Sequence, residues 1–281
     1  GTVDTRAENG ATGLLLLDPA DIVIADGTAD SAADGSNTFS GDPSGTPGTV
    51  LSGDTGPVTI YESELEGIAA STNISLASTN SITINNLTDN NLNLAQTGGN
   101  SVTFTTGGGG FNMDSGDTIT TAGGALNVTT TGGTSTFGSI ATNGGLITLN
   151  MGGDITVSGV ISGTGTGLTK TGNGTLLLSG NNTYTGDTTV TNGIIDVGHN
   201  NAFGTGTLVM NGGGVRDDGV ARTLANNVSV TANDSAFGGS AGLTLNGTTT
   251  FMGEHSLLNY NSAGLTMGNI NLSNSAADQL I

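Results

Sequence analysis

The sequence predicts an all-β chain wound as a right-handed parallel β-helix, a solenoid of roughly 10–12 rungs with one long loop near its N-terminus. Three observations predict it. First, very short apolar-x-apolar strands, such as Ile82-Thr83-Ile84 and Leu126-Asn127-Val128, recur with Gly/Asn/Thr turns between them. Second, the 281 residues hold 50 glycines, and only 34% are apolar and 4% aromatic. A globule of that length needs more bulk to fill its core, whereas a stack needs a narrow apolar column. Third, the residues between the apolar pairs are mostly Thr, Asn and Ser, which suit outward-facing positions. An antiparallel sandwich fits the spacing too, but its hairpins need longer strands than these.

The elements follow in order. Ile22-Val23-Ile24 reads as a strand. Residues 25–57 hold Pro43, Pro47 and Pro57 in a Gly/Asp/Ser-rich stretch, so they read as a long surface loop. Tyr61 to Glu66 reads as one or two helical turns, because Ser63 is followed three residues later by Glu66. Strands resume at Ile74-Ser75-Leu76, and the spacings Ile74 to Leu92 (18 residues) and Leu92 to Phe111 (19) suggest a coil of about 20. Leu176-Leu177-Leu178, Leu243-Thr244-Leu245 and Leu265-Thr266-Met267 continue the rhythm. The chain starts at Gly1 without a signal-peptide pattern and reads as a section of a longer polypeptide.

Charge narrows the partners. Twenty-three acids stand against four basic residues (Arg6, Lys170, Arg216, Arg222), a net charge of −19. Binding to nucleic acid or to an anionic membrane needs the opposite balance. No apolar run approaches a membrane span, so membrane insertion is not expected. With no cysteine, disulfides and thiolate chemistry are excluded.

Candidate chemistry is sparse, and no catalytic residue and no enzyme activity are expected. Asp114 with Asp117, and Asp217-Asp218 beside Arg216 and Arg222, are the nearest approach to a carboxylate cluster; hydrated turns explain them as well. His199 and His255 have no metal-ligand spacing. Gly107 to Gly110 lacks the Gly-Lys-Ser/Thr of a phosphate loop. Asp26, Asp30 and Asp34 recur every four residues in the long loop, with Asp42 and Asp54 beyond, and these three are the candidate Ca²⁺ ligands. No other cofactor is expected.

Two segments carry resemblances. Val3-Asp4-Thr5-Arg6, then Gly13 to Pro19 with Leu16-Leu17-Asp18-Pro19, and later Asn73-Ile74-Ser75-Leu76, resemble filamentous-haemagglutinin-type exoproteins of two-partner secretion. Residues 167–198 resemble the autotransporter-associated β-strand repeat: Lys170, Gly172, Gly174, Leu176, Leu178, Gly180, Asn182, Thr183, Tyr184, Gly186, Thr189, Val190, Gly193 and Val197 fall in its places. On the bare residues, Lys170 is expected to reach a surface acid such as Asp187, and Tyr184 to cap an edge. The resemblances imply haemagglutinin-like coils over 1–105 and a continuing β-helix over 106–281. They imply a structural or adhesive stalk of a secreted exoprotein on the surface of a Gram-negative bacterium, exported through an outer-membrane pore. Its partner would be a host or surface glycan or protein. An extracellular filament module with self-association is the alternative, and a carbohydrate-active β-helix enzyme a further one.

Overall fold

The computed structural model describes residues 14–15, 19–27, 58–252 and 255–272. Every strand pair in it is parallel, with partners one coil apart in sequence. The strands form three sheets of 12, 11 and 4 members, so the chain is a parallel β-solenoid. Following the first sheet through Ile74, Val102, Leu126, Ile147, Leu168, Thr188, Leu208, Val228 and Thr249 counts eight turns. Leu14–Leu15 and Leu265–Leu272 add a rung at either end.

The coil is not uniform. Ile74 pairs with Val102 and not with Leu92, so the first turn is longer than the spacing of apolar pairs suggests. Ile74 lies in the first sheet, Phe111 in the second and Leu92 in the third: each interval covers two of the three sides, not a whole coil. The third sheet contains Asn91–Leu94, Thr118–Thr121, Ser139–Ala141 and Ile161–Ser162. Beyond it the third side is turn, and Leu168, Thr188 and Leu208 repeat at the expected spacing.

Alternation builds the core. Strands such as Ser101–Thr106 and Ala125–Thr130 bury every second side chain, each large apolar one contributing roughly 1.5–3 kcal/mol. Phe104, Phe111 and Phe137 meet inside, with the Phe111 and Phe137 rings stacked nearly parallel at 4.4 Å and Phe104 tilted against Phe111. Where the column turns a corner, threonines replace apolar groups. Thr121 donates to the Gly124 and Thr142 carbonyls, and the Thr142 hydroxyl meets that of Thr166, one coil further on, at 3.0 Å. Backbones also approach closely at the corner between the first and second sheets: a Cβ on Gly153 would sit 1.8 Å from the Gly133 carbonyl oxygen. Glycine is required by that contact.

Side chains link each coil to the one after it. Asn73 accepts the Ser101 N–H, Asp154 that of Thr175, Asp187 that of Thr207 and Asn227 that of Thr248.

Residues 28–57, most of the expected long loop, lie outside the described residues; Val58–Tyr61 pairs with Asp21–Ala25 on the side away from the next coil. The helix Glu62–Glu66 follows, burying Leu65. Its start is closed by the Glu64 carboxylate on the Tyr61 N–H at 2.8 Å, while Glu66 accepts the Asn93 N–H at 2.7 Å. The helix is where the sequence puts it, but Glu64 reaches back and Glu66 does not. Together strand and helix cover this end of the second and third sheets.

Candidate functional site

Residues 168–197 form about one and a half coils, with Lys170, Asn182, Tyr184 and Thr188 buried inside. On Leu168–Thr171 alternation buries Leu168 and Lys170, and Lys170 is in register with Leu149 and Val190. Its side chain is fully buried, and Nζ donates to the carbonyls of Gly172 (3.0 Å), Asn192 (2.9 Å) and Thr171 (3.4 Å). The ammonium therefore ties the turns of two successive coils. Burial lowers its pKa to about 8, with the charge of Asp154 opposing. A Cβ on Gly193, which takes φ +68°, would meet Nζ at 2.5 Å. The expected surface contact with Asp187 is not made: Asp187 accepts the Thr207 N–H instead. The signal was the parity of position 170 with Leu168.

Asn182 spans three coils. Its Oδ1 accepts the Ile161 N–H at 2.8 Å and its Nδ2 donates to the Ala202 carbonyl at 2.7 Å. Tyr184 is buried with its hydroxyl on Thr188, rather than capping an edge. Burial raises its pKa far above the usual value for a phenol.

A second cluster lies on the outer face of the second sheet. Outward positions there align as Leu177, Asp196, Arg216, Gly238 and Tyr260, with Ile194, Gly214, Ala236 and Leu258 in the neighbouring column. Arg216 binds Asp196 through Nε and Nη2, and Arg222 binds Asp218 at 3.0 and 2.7 Å. Asp217 points inward. Burial opposes its charge, but the N–H groups of Ser240, Gly219 and Ala241 and the Asn261 amide hold its pKa below the usual carboxylate range.

The other candidates are dispersed. Asp117 is buried and accepts the Leu87 N–H, so it is not a hydrated turn; burial raises its pKa. Asp114 accepts the Gly116 N–H within its own turn. His199 accepts the Asn201 N–H. Asp26 is exposed and bound by the Thr88 hydroxyl, which lowers its pKa. Asp30 and Asp34, and Asp42 and Asp54 with them, lie outside the described residues. Among the described residues no three His, Asp or Glu side chains are placed to hold a metal ion, and no helix is long and apolar enough to cross a membrane.

Residues 168–197 match the family model described as the passenger-associated-transport-repeat. The chain is also similar to the adhesin BmaC autotransporter of Brucella suis biovar 1 (strain 1330), 51% identical over 71 residues, a quarter of this chain. It spans about 2% of that relative's length. No solved structure matches. The solenoid thus carries a passenger-type transport repeat within two of its successive coils, and over a quarter of its length it is similar to an autotransporter adhesin.

Proposed function

We propose that this chain is a segment of a non-enzymatic, adhesive stalk in a large exoprotein, exported through an outer-membrane pore and displayed on a Gram-negative cell. The observation that carries the reading is the segment 168–197: it matches a passenger repeat, and its Lys170 and Asn182 are spent on locking coils together. The acids that a β-helix glycosidase would need free are committed to turns and ion pairs, as Asp114, Asp117, Asp217 and Asp218 show. The adhesin relative supports both the surface location and the autotransporter route. The two-partner route rests on the haemagglutinin-like residues of the first 105.

The test is deletion of whole coils from the parent exoprotein. Surface display is followed by protease shaving, and attachment is scored on host cells and abiotic surfaces. Retained display with lost attachment supports the adhesive stalk. Unchanged attachment counts against adhesion, and absence from the surface of the intact exoprotein counts against export. The filament reading draws on the exposed Met252, Tyr260, Ile270 and Leu272 near the last rungs; a monomer in sizing experiments counts against it. Calcium binding by Asp26, Asp30 and Asp34 is proposed at the base of the long loop, where Glu62 and Asp89 add charge near Asp26. Calorimetry at millimolar calcium showing no heat would remove it.

A further inference from the structure

We propose that the outer face of the second sheet, between Arg216 and Tyr260, is a binding trough for a neutral glycan. The inference supplies the ligand class for the adhesive reading above and rests on it for its setting.

The trough exists because two strand glycines are small without a backbone reason. Gly214 and Gly238 do not take left-handed backbone, and a Cβ on either would meet nothing closer than 3.6 Å. Elsewhere glycines in strands are forced: a Cβ on Gly110 would lie 2.4 Å from the Thr134 carbonyl oxygen and one on Gly247 2.2 Å from that of Asn226. With Ala236 between them, the two lower the sheet surface where neighbouring coils carry Thr175, Leu177 and Ile194. The depression is about 520 Å³, within the range of roughly 300–1,000 Å³ common for small-ligand sites. Arg216 and Tyr260 stand two strands apart on either side of Gly238, a gap of about 10 Å.

The lining has the chemistry of sugar recognition. Tyr260 is 69% exposed, an aromatic face that the core does not use. Asp196 fixes Arg216 by two parallel bonds, so its remaining Nη1 donors are held in a plane for vicinal hydroxyls.

Charge selects among sugars. Of the four basic residues, Lys170 is buried inside and Arg216, ion-paired to Asp196, lines the trough together with Asp234, while Arg222 lies on a strand of the first sheet. With Arg216 against Asp196 and Asp234, the trough carries only a small acidic excess, and its one cation faces the ligand, on a chain of net charge −19. A polyanion is repelled by the surroundings, and a polycation has acidic surface everywhere and no reason to choose this face. An uncharged polyhydroxylated ligand fits both conditions.

The test uses the 281-residue chain on an array bearing maltohexaose, cellohexaose, mannohexaose, a heparin-derived hexasaccharide and a chitosan hexamer. At least one neutral hexasaccharide should be retained. Gly238→Thr, which fills the floor without a backbone clash, and Tyr260→Ala should weaken it about 10-fold or more, while Tyr260→Phe stays within about twofold. Unchanged thermal melting shows that the variants fold. Retention of only the charged sugars, of none, or equally by Gly238→Thr overturns the proposal. Attachment by the parent exoprotein alongside an empty neutral array sinks the glycan and leaves adhesion standing; a parent that does not attach sinks adhesion whatever the array shows.

Discussion

Asn182→Ala should be among the most damaging single changes in the solenoid. The side chain is 3% exposed and bridges Ile161 N–H in the preceding coil to the Ala202 carbonyl in the following one. Truncation leaves a buried donor and a buried acceptor unpaired, at about 1–3 kcal/mol each. The Tyr184 hydroxyl, 3.5 Å from the same carbonyl, offsets part of the second term. A loss of roughly 3 kcal/mol results, which corresponds to a fall in melting temperature of about 6–12 °C for a chain of this size. Thermal and urea unfolding followed by circular dichroism measure it. Amide exchange adds a local reading: Ile161 should exchange up to about 100-fold faster. Asn182→Asp keeps the acceptor but loses the donor and buries a charge, so it should be no better than alanine. A change within about 0.5 kcal/mol in Asn182→Ala, or rescue by aspartate, would refute the three-coil bridge.

Lys170, depressed to about 8 from 10.5, binds fewer protons folded than unfolded between those values. Stability should therefore rise with pH through that window, by an amount on the order of 3 kcal/mol, with the burial penalty complete below it. Urea midpoints from pH 7.5 to 10.5 should climb in the parent chain and flatten in Lys170→Met. Glu62, raised to about 6 by burial and by its neighbours Asp26 and Asp89, acts in the opposite sense: its contribution is present below 4.5 and lost as pH rises through about 6. Glu62→Gln should then raise the melting temperature at pH 7.5 and leave it unchanged at pH 4, by less than about 1 kcal/mol for a partly exposed carboxyl. Asp217→Asn places an amide where four donors converge and should cost about 1–3 kcal/mol, seen in the same melts at pH 7.

Much of this architecture was legible residue by residue. Leu176 and Leu178 point inward as alternation requires, and the segment around them is the one that the passenger repeat matches. What failed were inferences that needed the winding. The interval from Ile74 to Leu92 looked like a coil, because periodicity counts strands and does not say on which side of the solenoid each falls. Lys170 was assigned to the surface by its charge, although its parity with Leu168 pointed inward; three carbonyls from two turns made burial affordable, and they converge only after coiling. The trough was invisible for the same reason. Gly214, Gly238 and Tyr260 become neighbours through pairing registers that the linear sequence does not print.

The side-chain links from one coil to the next have a consequence for length. Asp154 to Thr175, Asp187 to Thr207 and Asn227 to Thr248 join residues 20 or 21 positions apart, each between adjacent coils alone. Each link acts as a registration key, since a slip by one residue would present the acceptor to the wrong amide. None of these three keys reaches past its neighbour, so a whole coil can be gained or lost between two of them, except where a longer link crosses, as at Asn182, bound on both sides, and at Asp217, which Asn261 reaches from 44 positions on. The solenoid is thus adjustable in quantised increments of about 4.8 Å, so its length can change by duplication or deletion while the cross-section stays as it is.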